Sequence, residues 1–199
     1  MSSGADAVRR LAELAGVPMK AGRVFDWPAV ERELGTRLPA DYKMLAESFP
    51  AGWFRAFVSV LPPVGTDREM SLVDYARGEL DALRELRESG EASFPYRLFP
   101  EPNGILPWGF VATGGIACWL TGPGDPDEWT VVLATEEGDY WDDRFDGSAS
   151  EFLISVVTAS YDASGFREGP KPDERRRGDR PVDLASRPPF KPLAPPPPS

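Results

Sequence analysis

The sequence predicts an α+β fold: a largely antiparallel, twisted sheet that packs with N-terminal, central and C-terminal helices. The first observation is the order of patterns along the chain, which runs helices, strand, helix, several strands and helix. The second is that the later strand candidates are short and separated by turns rich in Gly, Pro and Asp. The third is length, because 199 residues suffice for one domain with a sizeable core and an extra segment.

Apolar residues three and four positions apart predict five helices. They cover residues 5–15, 26–35, 39–49 and 71–87 and a segment that begins at 148. Asp26 can cap the second helix and Gly35 can end it. Ser148 and Glu151 form a capping box at the start of the last helix. The outer face of the fourth helix, which includes Glu79, is expected to face solvent.

Mostly apolar runs with the period of a strand predict the sheet. The range Trp53–Leu61 is apolar on both alternating faces, which indicates one strand that is covered on both sides. Short strands are also predicted over 116–120, 130–134 and 139–144, with a loop at 121–128 between the first two.

The chain divides into an acidic body and a proline-rich tail. Residues 167–199 hold 10 of the 22 prolines and have 8 Lys+Arg against 5 Asp+Glu, whereas residues 1–166 have a net charge of −13. A segment with so few large apolar side chains cannot bury enough surface to offset its chain entropy, so we expect 167–199 to be disordered. We interpret it as a solubilising tail, and the alternative is a peptide ligand for a proline-binding domain.

The composition excludes several classes of site. The sequence has no histidine, which removes Ser-His-Asp triads, Cys-His pairs and His-liganded metals. Its single cysteine, Cys118, cannot form an internal disulfide. The formal charge of −10 argues against nucleic-acid binding, and no phosphate-binding glycine motif is present. No apolar run could span a membrane and no signal segment is visible, so we expect a cytoplasmic protein without cofactor or bound metal.

The most charged part of the sequence is an acidic segment, residues 125–146, with nine carboxylates and one arginine. It contains the partner-binding candidates Asp125, Asp127, Glu128, Asp139, Asp142 and Asp143. Three interpretations remain open: a solvated rim of turns, a face that binds a basic protein, or catalytic carboxylates or a magnesium site. A catalytic pair would need one carboxyl in an apolar pocket that raises its pKa.

Four groups of short motifs follow one another along the chain. They are Trp27 with residues 30–43, residues 106–109 with 117–119, residues 125–132, and residues 150–153. In this order they resemble the SUKH superfamily, the Smi/Knr-type proteins, and the likeness extends to about residue 165.

The resemblance implies an α+β domain that binds other proteins and has no active site. Bacterial relatives are thought to act as immunity proteins that neutralise polymorphic toxins, many of them nucleases, and fungal relatives act as regulatory hubs in cell-wall signalling. The matched residues are expected to be structural rather than catalytic. They are Trp27, Gly35, Leu38, Pro39, Tyr42, Pro107, Trp108, Gly109, Trp119, Trp129, Phe152 and Leu153.

We therefore expect a SUKH-like domain over residues 1–166 that works by stoichiometric protein binding, as an immunity protein for a basic, nuclease-type toxin. The acidic segment is the predicted contact face. Its carboxylates would attract a cationic toxin, which speeds association, and could occupy the surface on which the toxin binds phosphate groups. A regulatory or scaffold module without a toxin is the alternative among binding proteins. A carboxylate-dependent hydrolase is the alternative from another class.

Overall fold

The computed structural model describes residues 4–19, 22–65, 70–90, 94–112, 114–134, 144–168 and 180–193. Its helices are α1 (Gly4–Ala15), α2 (Trp27–Leu34), α3 (Ala40–Ser48), α4 (Leu72–Ser89) and α5 (Ala149–Val157), with a 3-10 turn at Pro126–Glu128. Its strands are β1 (Gly52–Phe54), β2 (Val58–Val60), β3 (Arg97–Leu98), β4 (Gly104–Val111), β5 (Ile116–Leu120), β6 (Thr130–Ala134), β7 (Arg167–Glu168), β8 (Arg180–Pro181) and β9 (Phe190–Pro192). The five helices lie where the apolar spacing predicts them.

The helix ends form as the sequence indicates. The side chain of Asp26 accepts a hydrogen bond from the amide of Ala29 (3.1 Å), and Gly35 ends α2 in the left-handed conformation (φ 82°). Ser148 and Glu151 form the predicted capping box of α5. Each cap satisfies backbone groups that have no partner inside their own helix.

The central sheet runs β6-β5-β4-β2-β1-β9 among the described residues, and each neighbouring pair is antiparallel. β3 joins β4 in parallel, and β7 and β8 form a separate ribbon. α4 packs on β4, whereas α1, α3 and α5 pack together and α5 also contacts β1 and β6. The predicted α+β class is confirmed, as are strands β5 and β6. The predicted strand 139–144 lies outside the described residues except at its last position.

The predicted single strand Trp53–Leu61 is instead a hairpin. β1 and β2 pair with each other, and the amide of Phe57 donates to the Phe54 carbonyl across the turn (2.9 Å). Arg55 and Ala56 occupy the left-handed region (φ 50° and 46°), which residues with a side chain seldom adopt. The prediction was wrong because the turn lacks the glycine or asparagine that usually marks it.

A β-bulge in β4 divides its aromatic residues between the two faces of the sheet. The pairing with β5 shifts register between Pro107 and Gly109. On a regular strand Trp108 and Phe110 would share a face, but here Trp108 contacts α5 and Phe110 contacts α4. β4 was missing from the predicted strands, because a proline inside a run argues against a central strand unless a bulge accommodates it.

Part of the tail that the sequence predicts to be disordered is folded. Residues 180–193, called the C-terminal segment below, place β9 beside β1 and bury Val182 and Leu184. The prediction of a disordered 167–199 is wrong for this segment and for β7, and the fold extends past the predicted boundary at 166. The few apolar side chains suffice because they dock on a surface that the body already provides. Residues 169–179 and 194–199 lie outside the described part of the chain.

Two glycine-to-alanine substitutions are expected to change stability in opposite directions. A β-carbon at Gly109 would lie 2.7 Å from the Ser59 carbonyl oxygen on β2. We therefore expect Gly109→Ala to lower the free energy of unfolding by about 1–3 kcal/mol. A β-carbon at Gly78, within α4, would meet no atom within 4 Å, so Gly78→Ala should raise it by about 0.5–1 kcal/mol. Urea denaturation measures both, and equal effects would contradict the close approach of β4 to β2 at Gly109.

Candidate functional site

The described part of the acidic segment brings several carboxylates to one end of the sheet. Asp125, Asp127 and Glu128 are exposed on and beside the 3-10 turn that precedes β6. Asp146 is exposed as well, and a backbone bridge from its neighbour Phe145 holds it against β6. The other three predicted residues, Asp139, Asp142 and Asp143, lie outside the described residues.

Asp127 has a structural role at the start of α3. The N-cap position of that helix is Pro39, whose side chain makes no capping hydrogen bond. A carboxylate oxygen of Asp127 instead accepts a hydrogen bond from the amide of Ala40, the first residue of α3 (2.6 Å). Its negative charge also interacts favourably with the partial positive charge at the N-terminus of α3. One predicted partner-binding residue is thus a helix cap supplied from a distant part of the chain.

A second carboxylate, Asp41, joins the beginnings of two helices and is only 4% exposed. One oxygen accepts a hydrogen bond from the amide of Tyr42, its neighbour in α3 (2.7 Å). The other accepts from the amide of Ser150 in the first turn of α5 (2.9 Å). A β-carbon on Gly4, where α1 begins, would lie 3.1 Å from that of Asp41. The starts of α1, α3 and α5 therefore meet at one buried carboxylate, which no local sequence pattern indicated.

Three carboxylates at this end of the sheet, Asp125, Glu128 and Asp146, are called the acidic face below. All three are exposed. Asp125 accepts a hydrogen bond from the amide of Asp127 (3.2 Å), which orders the turn and leaves its carboxylate at the surface. Charges at a surface act over about 8–10 Å at physiological salt, so neighbouring carboxylates add to one local field. The acidic face can therefore attract a cationic surface.

A half-buried acidic residue lies on α4 where the sequence predicted a solvated face. The hydroxyl of Tyr75 donates a hydrogen bond to Glu79, and burial raises the pKa of the Glu79 carboxyl. The thiol of Cys118 on β5 is buried, and this burial together with the charge of Glu79 raises its pKa well above the usual range. A thiol held protonated in this way packs as a small apolar group. The prediction for Glu79 was wrong because it borders the apolar stripe, where tertiary packing decides which way a long side chain turns.

The residues that carry the family resemblance lie mainly in the core. Trp108, Trp119 and Trp129 are buried, and the ring of Trp119 lies 5.9 Å and 6.0 Å from the other two rings. Tyr42 meets Trp119 edge-on at 5.1 Å. Among the other matched residues, Leu38, Pro39, Phe152 and Leu153 are buried, Trp27 is half-buried, Pro107 and Gly109 flank the bulge, and Gly35 ends α2. The buried side chains among them pack the core of the domain.

A groove of about 280 Å³ lies between α2 and α4. Apolar residues such as Leu34 and Leu80 line it together with Arg77 and Arg84. It shares no residue with the acidic face, whose side chains lie on exposed turns. Within the described ranges, no three acidic or thiol side chains come together as metal ligands, and no helix has the length and apolarity to cross a membrane.

One comparison with known proteins gave a match. A family model described as SMI1-KNR4 cell-wall matches residues 26–153. The match begins at the cap of α2 and ends within α5, so it contains the acidic segment and the bulge, whereas α1 and the C-terminal segment lie outside it. No curated protein and no solved structure matched the chain.

Removing the buried carboxylate is expected to cost more stability than removing an exposed one. Asp41→Ala leaves the amides of Tyr42 and Ser150 without their acceptor, so the free energy of unfolding should fall by about 2–4 kcal/mol. Asp127→Ala removes the cap of α3 and should cost about 0.5–2 kcal/mol. Glu128→Ala should change stability by less than about 0.5 kcal/mol. Denaturant titrations of the three variants give the order, and a different order would contradict these roles.

The position of Glu79 predicts a pH-dependent effect on stability. Its pKa is raised in the folded state, so the folded protein binds this proton more tightly than the unfolded chain does. The resulting stabilisation is present below the ordinary pKa of about 4.5 and is lost as the pH rises through the folded-state pKa. Glu79→Gln should therefore raise the melting temperature at pH 7 and have little effect at pH 4. Thermal melts at both pH values test this, with the exposed Glu85→Gln as a control that should change neither.

Proposed function

Because the chain belongs to the SMI1-KNR4 cell-wall family, we propose that it is a non-catalytic immunity protein that neutralises a protein toxin by stoichiometric binding. The resemblance of this chain to the bacterial SUKH proteins implies a role in immunity. An immunity protein needs a rigid domain and a surface complementary to its toxin, and it needs no reactive group. The observation that carries the proposal is the acidic face, which lies within the part of the chain that the family model matches.

The proposed partner is a basic toxin domain of the nuclease class. A nuclease binds phosphate groups through a cationic surface, and a set of exposed carboxylates can occupy the same surface. Long-range attraction between opposite charges also speeds encounter, which favours a protein that must inhibit a toxin quickly.

The proposal assigns separate roles to neighbouring carboxylates. Asp125, Glu128 and Asp146 are contact residues, because they are exposed. Asp127 acts through the fold, since its carboxylate caps α3. Loss of binding on substitution of Asp127 would therefore come with loss of stability. Substitutions of Glu128 and Asp146, and Asp125→Asn, which keeps the oxygen that accepts from the Asp127 amide, should affect binding alone.

Neutralising the acidic face is expected to slow association with the toxin. The Asp125→Asn/Glu128→Gln variant should bind about three- to ten-fold more slowly at low ionic strength, and its association rate should depend less on salt. Stopped-flow or surface binding kinetics measure both quantities. We expect the cognate toxin to be the variable C-terminal domain of a large secreted protein encoded beside this chain.

The matched control is the Glu85→Gln/Glu88→Gln variant, which removes the same charge from the exposed side of α4. Equal slowing by both variants would mean that net charge alone steers binding. If neither variant slowed association, the acidic face would not be part of the interface. If the chain binds a housekeeping protein and does not protect cells from a toxin, the alternative function, a regulatory or scaffold module, would replace immunity.

A further inference from the structure

The C-terminal segment lies outside the family match, yet it is bound to the domain as a peptide ligand would be. It follows the edge of β1 and the β1–β2 turn, a surface called the β1 groove below. Burial of Val182 and Leu184 anchors the start of the segment. Three sets of contacts hold the rest of it in the β1 groove: backbone pairing, one aromatic side chain and one arginine.

Backbone pairing gives the segment its extended shape. Residues 190–192 run antiparallel to β1. Just before them, the Pro189 carbonyl accepts a hydrogen bond from the amide of Arg55 (3.0 Å). Just after them, the amide of Leu193 donates to the Ala51 carbonyl (2.9 Å). Addition of a strand to a sheet edge is a general way in which proteins bind peptides, with affinity from the backbone and specificity from side-chain pockets.

An aromatic pocket in the β1 groove receives the side chain of Phe190. The centre of its ring lies 4.9 Å from that of Phe54 and 5.7 Å from that of Phe49. Gly52 leaves the necessary space, because a β-carbon there would lie 2.4 Å from the Phe190 ring. The groove therefore accepts one aromatic residue and depends on a glycine beneath it.

The turn between β1 and β2 recognises an arginine. The guanidinium of Arg187 donates to the carbonyls of Arg55 (3.3 Å) and Ala56 (2.8 Å). In return, the guanidinium of Arg55 donates to the carbonyls of Leu184 (3.3 Å) and Arg187, and to that of Val157 at the end of α5 (2.9 Å). The left-handed conformation of the two turn residues is unfavourable for residues with a side chain, and these contacts offset that cost.

We propose that the β1 groove is a peptide-binding site for extended segments that carry an arginine three residues before an aromatic residue. The C-terminal segment, with Arg187 and Phe190, is its internal occupant, and a partner protein with the same pattern competes for the groove. Tethering gives the internal occupant an effective concentration of about a millimolar, so the groove is largely closed in the intact chain. The proposal does not depend on the immunity function or on the acidic face.

A fluorescent peptide with the sequence of residues 182–193 tests the proposal in the 199-residue chain. The Arg187→Ala/Phe190→Ala variant weakens the internal occupant and changes no residue of the groove itself. We expect it to bind the peptide at least about ten-fold more tightly than the unsubstituted chain does. Fluorescence anisotropy gives both dissociation constants, and near-ultraviolet circular dichroism verifies that the variant keeps its packed core.

Two controls assign the binding to the groove. Adding Gly52→Ala to the double variant should abolish capture, because the new β-carbon takes the place of the aromatic ring. Adding Gly122→Ala, whose β-carbon would meet nothing within 4 Å, should leave capture unchanged. The proposal is overturned if the double variant captures no peptide, if the unsubstituted chain binds as tightly, or if Gly52→Ala has no effect.

Hydrogen exchange on the unsubstituted chain provides a second measurement that does not rely on the folding of a variant. The amides of Arg55 and Leu193 should exchange at least about ten-fold faster than those of β5, because the C-terminal segment opens without the rest of the domain. Equal protection at both places would make the segment an inseparable part of the core and would overturn the proposal.

Discussion

The meeting of three helix starts at one end of the molecule is the constraint on which the rest of the structure depends. Each start presents amide groups without partners inside the helix and a partial positive charge. Asp41 bonds amides of α3 and α5 from a buried position, and Asp127 caps α3 from the surface. These carboxylates supply acceptors for amides that the close packing of the three helix starts would otherwise leave without partners. Part of the acidity of the chain is therefore a requirement of the fold.

This requirement divides carboxylates that look alike in the sequence. Asp127 and Glu151 serve helix starts, and their charges are partly balanced by the helix dipoles. Asp125, Glu128 and Asp146 are exposed on the same side and contribute to the field that a partner would meet. Carboxylates with a role in the fold therefore lie beside carboxylates proposed to bind, and substitutions must be judged by stability and by affinity together.

The acidic face and the β1 groove lie at opposite edges of the sheet. The acidic face adjoins β6, which is one edge strand of the described sheet, and the β1 groove is covered by β9 at the other edge. Between them, the bulge of β4 sends Trp108 toward α5 and Phe110 toward α4, which fixes the helices on both sides. The two surfaces are therefore separated by the buried centre of the sheet.

Local patterns were sufficient for the helices. Asp26, Gly35 and Ser148 mark helix ends because capping is decided within a few residues. The acidic segment was also visible as a candidate surface. The hairpin at Arg55, by contrast, carries no turn residue, and the C-terminal segment has too few apolar residues to fold by itself. Both become stable only where other parts of the chain meet them.

The sequence by itself determined the α+β class, the helix positions and the family, since periodicity, caps and the order of motifs are all local. Tertiary structure alone decided the Asp127 cap, the Asp41 bridge between helices and the docking of the C-terminal segment through Arg55 and Arg187. The partners in these contacts are separated by 87 to 132 residues along the chain. A hydrogen bond between residues so far apart in the sequence depends on how the whole sheet and its helices assemble, so no local sequence pattern predicts it.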